Sequence, residues 1–348
     1  MALVRLVFVL ALSLTAQASP LVPEPPVAAL ATCLRGDVET LAGQIGERNC
    51  YHPEKLERAA AWIEAQFAAT GLRTRRLPVE VPAGEPYRCG KMTVWNIEAE
   101  SPGSALPDEI IVIGAHYDSK VAMKGWHDHA GPLAKLPGTP GADDNASGVA
   151  VTLALARHFA QAPTRRSLRF VAFVNEEPPF FQTGAMGSFV YARSLVQDKS
   201  RRVVGMFTPE CLGCYSLQSN RKRVWLAGPL GLPAKPDYVA FMSNLSSRSF
   251  NLTAAAAFRR RCQVKLRPCV LPALGPKVAW SDDWAFWRQG VPAFAVTDTA
   301  FLRSDRYHEL TDTPDYLDYG VMAEVTLGLQ GMVAELGDRQ AGEGGTRR

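Results

Sequence analysis

Two histidines and a set of carboxylates in this sequence stand where apolar runs end. His116 and Asp118 follow the run 110–113, in Gly114-Ala-His-Tyr-Asp-Ser. Asp143-Asp144 lead through Asn145-Ala-Ser-Gly into a helical pattern at 149–159. Glu176-Glu177 close the run 168–174, Glu210 follows 203–207, and Tyr307-His308 follow 293–297. An imidazole in a strand-end loop is a common zinc ligand. A carboxylate two residues on can reach its other ring nitrogen and fix the tautomer. Adjacent carboxylates after a buried strand repel unless a cation or proton sits between them. One of Glu176 and Glu177 can then bind metal while the other stays free as general base and acid. Singly, each residue also has an ordinary reading: a hydrogen-bonded histidine, a solvated strand end, or, for Asp143, Asp144 and Asn145, a helix cap. One cap does not need three such residues, so one of them is expected to have a second task. Together the set reads as a metal site.

The elements that must position these residues alternate between strand and helix. Apolar or alternating runs predict strands at 72–81, 92–100, 110–115, 168–174, 202–207, 224–226 and 293–297. Helical spacing predicts helices at 30–45, 53–70, 147–160, 185–195, 233–246, 282–288 and 316–336. The expected fold is α/β, a mixed, mostly parallel central sheet flanked by helices. Segments 119–143 and 254–278 read as insertions, the second irregular and basic. In such sheets the site lies beyond the carboxyl ends of the strands, where every residue above falls.

Composition narrows the function. Hydrophobic residues make up 47% of 348, enough for a large core, and the formal charge is only +4. The short arginine clusters at 165–166, 201–202, 221–223 and 259–261 do not build a nucleic-acid stripe. Residues 1–18 read as a signal peptide: Arg5, an apolar stretch, then Ala16-Gln17-Ala18. Export to a periplasm or the medium, with no integral membrane segment, is the expectation. Residues 19–45 read as a lead-in, 46–337 as the catalytic domain and 338–348 as a flexible tail. Export permits disulfides. Of seven cysteines, Cys262 and Cys269 read as the best local pair, and one pair is expected among Cys33, Cys50 and Cys89. Cys211-Leu-Gly-Cys214 reads as structural or inert.

The chain resembles the zinc aminopeptidases of peptidase family M28. The resemblance rests on Gly114-Ala-His-Tyr-Asp-Ser119, Gly141-Ala-Asp-Asp-Asn-Ala-Ser-Gly148, Asn175-Glu-Glu177, Ser281-Asp282 with Phe286, and Thr297-Asp-Thr-Ala300 through Tyr307-His308 to Thr311-Asp-Thr-Pro314. It implies two zinc ions: His116 and Glu210 on one, Glu177 and His308 on the other, Asp144 between them. It implies Glu176 as general base, Asp118 orienting His116, and Tyr307 at the oxyanion. The implied substrates are peptides with a free N-terminus. The sequence departs from the family pattern at Glu210, where Asp is common, at Asp283, and at Pro178-Pro179 after the glutamate pair. His127 and His129 read as loop residues near the cleft. The competing readings are a glutaminyl-peptide cyclotransferase on the same scaffold, a non-catalytic secreted binding module, and a carboxypeptidase.

Overall fold

The computed structural model describes residues 25–122, 137–215, 232–233, 235–271 and 281–339. Among the described residues eight strands form one sheet: β1 (Arg73–Val81), β2 (Met92–Ser101), β3 (Leu106–His116), β4 (Arg166–Phe173), β5 (Arg202–Glu210), β6 (Tyr238–Asn244), β7 (Lys265–Leu271) and β8 (Ala293–Thr297). Their order is β1-β2-β4-β3-β5-β8-β6-β7. The centre is parallel, β4 with β3, β3 with β5 and β5 with β8. β1 and β2 add antiparallel on one side, and β6 meets β8 antiparallel on the other. The mixed, mostly parallel sheet expected from the sequence is present.

β3 shows why the sheet lies in the middle. Ile111, Ile113 and Ala115 face the main core, while Ile110 and Val112 face a second one. With both faces covered, a strand carries no polar alternation. Each such side chain contributes about 1.5–3 kcal/mol by leaving water. The main core takes helices α1 (Val27–Val38), α2 (Pro53–Ala68), α3 (Gly148–Phe159), α5 (Arg248–Arg259) and α7 (Tyr319–Asp338). The opposite face takes α4 (Gly187–Gln197) and α6 (Asp283–Trp287). α2 follows its sequence signals: Pro53 opens it, Leu56, Ala59, Ala60, Ile63 and Phe67 are buried, and Gly71 stops it at φ 81°. Residues 27–45, read as a lead-in with a helix at 30–45, are helical and bury Leu30, Leu34, Val38 and Leu41 in the main core.

Two expectations fail in the same region. Residues 233–246, read as a helix, contain β6. Residues 254–278, read as an irregular insertion, contain the end of α5 and all of β7. β6 is buried over Tyr238–Ser243 on both faces, so neither period could show. β7 carries Pro268, tolerated because this is an edge strand paired with β6 alone. None of the seven cysteines is in a disulfide, so the pair expected among Cys33, Cys50 and Cys89 is not formed here. Cys262 and Cys269 do not pair, because Cys262 packs in the main core and Cys269 in a third cluster with Leu302. The expected signal peptide, the strand at 224–226, His127 and His129 lie outside the described residues, as does all but the start of the tail. Among the described residues no helix is long and apolar enough to cross a membrane.

Candidate metal centre

The parallel strands end at a common edge, and their ends deliver the site. His116 is the last residue of β3, Glu176 and Glu177 lie just past β4 after Val174 and Asn175, and Glu210 ends β5. Asp144 lies in the turn Ala142–Ser147 that enters α3, and His308 in the loop after β8. Gly141 opens that turn at φ 65°, a left-handed conformation that costs glycine little. Gly148 lets α3 approach the end of β5, since a Cβ there would meet the Pro209 carbonyl. Asn175, Cys211 and His308 all take positive φ at the site. Such backbones cost about 1–3 kcal/mol each and persist only where packing over-determines them.

The ligand atoms converge in two groups that share one residue. His116, Asp144 and Glu210 offer atoms within 4.8 Å of one another, and so do Asp144, Glu177 and His308. His116 Nε2 lies 3.2 Å from Asp144 Oδ1 and 3.5 Å from Glu210 Oε1. His308 Nε2 lies 2.9 Å from Asp144 Oδ2 and 3.3 Å from Glu177 Oε1. Each oxygen of Asp144 therefore faces a different imidazole. His116 Nε2, Asp144 Oδ2 and Glu177 Oε1 are buried and in no hydrogen bond. Buried polar atoms left this way cost about 1–3 kcal/mol each. A cation in each group would satisfy all three, and imidazole with carboxylate is a donor set that suits zinc. The residues fit the metal.

The charges agree. Burial works against a charge on His116, but Glu210 and Glu176 outweigh it and hold the imidazole well above its ordinary range. Burial likewise opposes His308, and Glu177 with Asp144 still pushes it up to about 9. Burial raises Glu176 well above the usual carboxylate range; His116 opposes this, and Glu177, Glu210 and Asp282 reinforce it. Burial also raises Glu210. Protons stand in here for cations: so many carboxylates in one pocket cannot all ionise without positive charge.

Supporting residues explain the ligand positions. Asp118 accepts from the backbone N–H of Glu176 and of Glu177, both at 3.1 Å. His116 Nδ1 lies 3.2 Å from the Asp118 carbonyl and 3.5 Å from its carboxylate. Asp118 thus sets the glutamate pair as well as the histidine that the sequence assigned to it. Glu210 Oε2 accepts from Asn145 at 2.7 Å and from Ser281 at 2.8 Å, which leaves Oε1 toward His116. The longer glutamate arm is seated by these two donors. Asp312 accepts from the N–H groups of Asp143 and Asp144 at 2.8 and 3.1 Å. Asp143 accepts from Gly213 at 2.7 Å and so supports the site rather than joining either ligand group. Each N–H from Cys211 to Cys214 is taken by a side chain: Asn145, Ser147, Asp143 and Asp298 in turn. The Cys-x-x-Cys stretch is therefore a structural strap. Tyr307 stacks on the His308 ring at 3.8 Å, and burial with Asp144 and Glu177 raises its phenol, which stays neutral and able to donate.

Sequence reasoning missed Arg48. It is fully buried and bonds backbone carbonyls on both sides of the site: Tyr117 at 2.5 Å, Pro140 at 2.5 Å and Gly141 at 2.8 Å. No local pattern marks it, because its partners are carbonyls far along the chain. Asn145 and Ser281 were present in quoted motifs, but their task shows only in space.

The family model described as "Peptidase family M28" matches residues 96–332. The chain belongs to peptidase family M28. This M28 chain is 32% identical over 308 residues to the uncharacterized protein YfbL of Escherichia coli (strain K12), covering 88% of each. A zinc aminopeptidase structure from Bacillus subtilis superposes with a TM-score of 0.65 at 14% identity, over 89% of this chain and 96% of that one. The glutaminyl cyclase of Fimbriiglobus ruber superposes with a TM-score of 0.61 at 19% identity, over 87% and 94%. At such identities the two structures speak for the fold. The family assignment makes this chain a zinc metallopeptidase.

Proposed function

We propose that this protein is an exported aminopeptidase that binds two zinc ions and removes N-terminal residues from peptides. The observation that carries the reading is Asp144, shared between two ligand groups, with Glu176 beside them at 3.8 Å from His116. His116, Asp144 and Glu210 would hold one zinc; Asp144, Glu177 and His308 would hold the other. Bound zinc supplies a water of lowered pKa and polarises the scissile carbonyl. Glu176 takes the proton of the attacking water and returns it to the leaving amine. Asp118 holds Glu176 by its N–H, so the base does not drift from the reacting atoms. Tyr307 donates its phenolic hydrogen to the developing oxyanion. Burial of the site strengthens each of these interactions. The acidic lining also favours the ammonium of a free N-terminus.

Glutaminyl cyclases share the scaffold, so the peptidase reading needs a direct test. Metal analysis with a panel of aminoacyl and N-blocked reporters provides one. The expected result is two zinc ions per chain and release of the free-amine reporters only. One zinc per chain, or cleavage of N-blocked and not free-amine reporters, would overturn the reading. Sequencing the mature N-terminus tests export, with Ser19 expected first.

A further inference from the structure

We propose that Cys50 and Cys89 form a reversible disulfide that fastens the β1–β2 connection to the rim of the metal centre. Its effect on substrate rests on the peptidase reading above; its formation does not. Cys50 is 1% exposed in the main core, and Cys89, half-buried, packs against the same core. Their flanking residues Tyr51 and Tyr87 are bonded to each other, and each thiol acts on the other's ionisation. Cys50 follows Arg48 and Asn49, and Asn49 donates to the Ser119 carbonyl at 3.2 Å beside the His116 loop. Cys89 lies in the connection from β1 to β2. That connection reaches the site a second time. The Tyr87 ring stacks on Phe180 at 4.8 Å with the planes 8° apart, and the Tyr51 hydroxyl donates to the Tyr87 carbonyl. Phe180 in turn donates its N–H to the Glu177 carbonyl at 2.9 Å. A bond between Cys50 and Cys89 would hold Tyr87 against Phe180 beside a metal-ligating glutamate.

The two thiols have complementary roles. The neighbouring Cys50 thiol lowers Cys89, and burial raises Cys50. The half-buried Cys89 is thus the attacking thiolate. It attacks one sulfur of a low-molecular-weight disulfide and expels one small thiolate. Cys50 then loses its proton, attacks Cys89 in the mixed disulfide and expels the second. Two protons and two electrons pass from the protein to the small disulfide, which leaves as two thiols.

The test is peptide mapping without reduction, on the full chain equilibrated with oxidised or with reduced glutathione. Oxidised protein should give a cross-linked Cys50–Cys89 peptide pair that disappears in reduced protein. A bridge closing roughly 40 residues should raise the thermal midpoint by about 6 °C on oxidation. Neither Cys50→Ser nor Cys89→Ser should show that shift. If Cys50→Ser fails to fold, Cys89→Ser at the half-buried position decides. Alkylation of both thiols in the oxidised protein, or Cys50 cross-linked to Cys33, would overturn the proposal. These readouts need no catalysis, so they stand apart from the peptidase reading. Reduction should also raise KM severalfold at constant kcat; an unchanged KM would overturn the link to the rim.

Discussion

Arg48→Met probes how the two halves of the site are held together. The wild-type guanidinium bridges the loop after His116 and the turn before Asp144. Methionine fills similar space and donates nothing. The Gly141 carbonyl keeps a second donor, the N–H of Ala146 at 3.2 Å. The Tyr117 and Pro140 carbonyls lose the charged donor that now sits 2.5 Å from each. Buried acceptors left unpaired cost about 1–3 kcal/mol each, so the loss is about 2–6 kcal/mol. For a chain of this size that lowers the thermal midpoint by roughly 3–8 °C. Lysine keeps the charge but not the planar fork, and Arg48→Lys should recover about half. The site readout is zinc affinity by chelator competition, expected to fall at least about 10-fold. Arg157→Met is the control. It breaks a pair with Asp37 at 2.6 Å away from the ligands, so it should cost stability and leave zinc affinity unchanged. Arg48→Met with wild-type melting and wild-type zinc affinity would refute the reasoning.

Three further outcomes follow from the same geometry. Glu176→Gln should cut kcat by about 10²–10⁴-fold while metal content by atomic emission stays at the wild-type level; unchanged turnover would remove Glu176 as the base. Asn145→Ala frees Glu210 Oε2 from its 2.7 Å bond and should weaken one of two zinc-binding steps by about 10–100-fold, seen as a split titration; an unsplit curve counts against it. Because His308 titrates at about 9 without metal, zinc must displace a proton from it at neutral pH. Zinc affinity should therefore rise with pH from neutral toward about 9, with His116 adding to the slope, and calorimetry at pH 7 in buffers of different ionisation enthalpy should show proton release. Affinity independent of pH would contradict this.

The site was legible because its ligands sit at strand ends, where sequence shows both the apolar run and the residue that follows. His116, Glu177 and Glu210 are of this kind, and Asp144 belongs to a cap-like run too rich for one cap. The structure draws them together with His308 as expected. What could not be read were contacts whose partners are remote: Arg48 on carbonyls of residues 117 and 140, Asp312 on the N–H of Asp144, Asn145 on Glu210. In the fold, β6 was hidden by burial on both faces and β7 by its proline. The local spacing of Cys262 and Cys269 misled because distance along the chain does not say which core each thiol enters, and these two enter different ones.

The central claim is hydrolysis at a free N-terminus by a site that needs Glu176. Mass spectrometry of a peptide that begins with glutamine, incubated with the zinc-loaded enzyme, tests it most directly. Free glutamine with a peptide one residue shorter is the predicted product, absent with Glu176→Gln. A full-length peptide that has lost only ammonia, or no change at all, would contradict it.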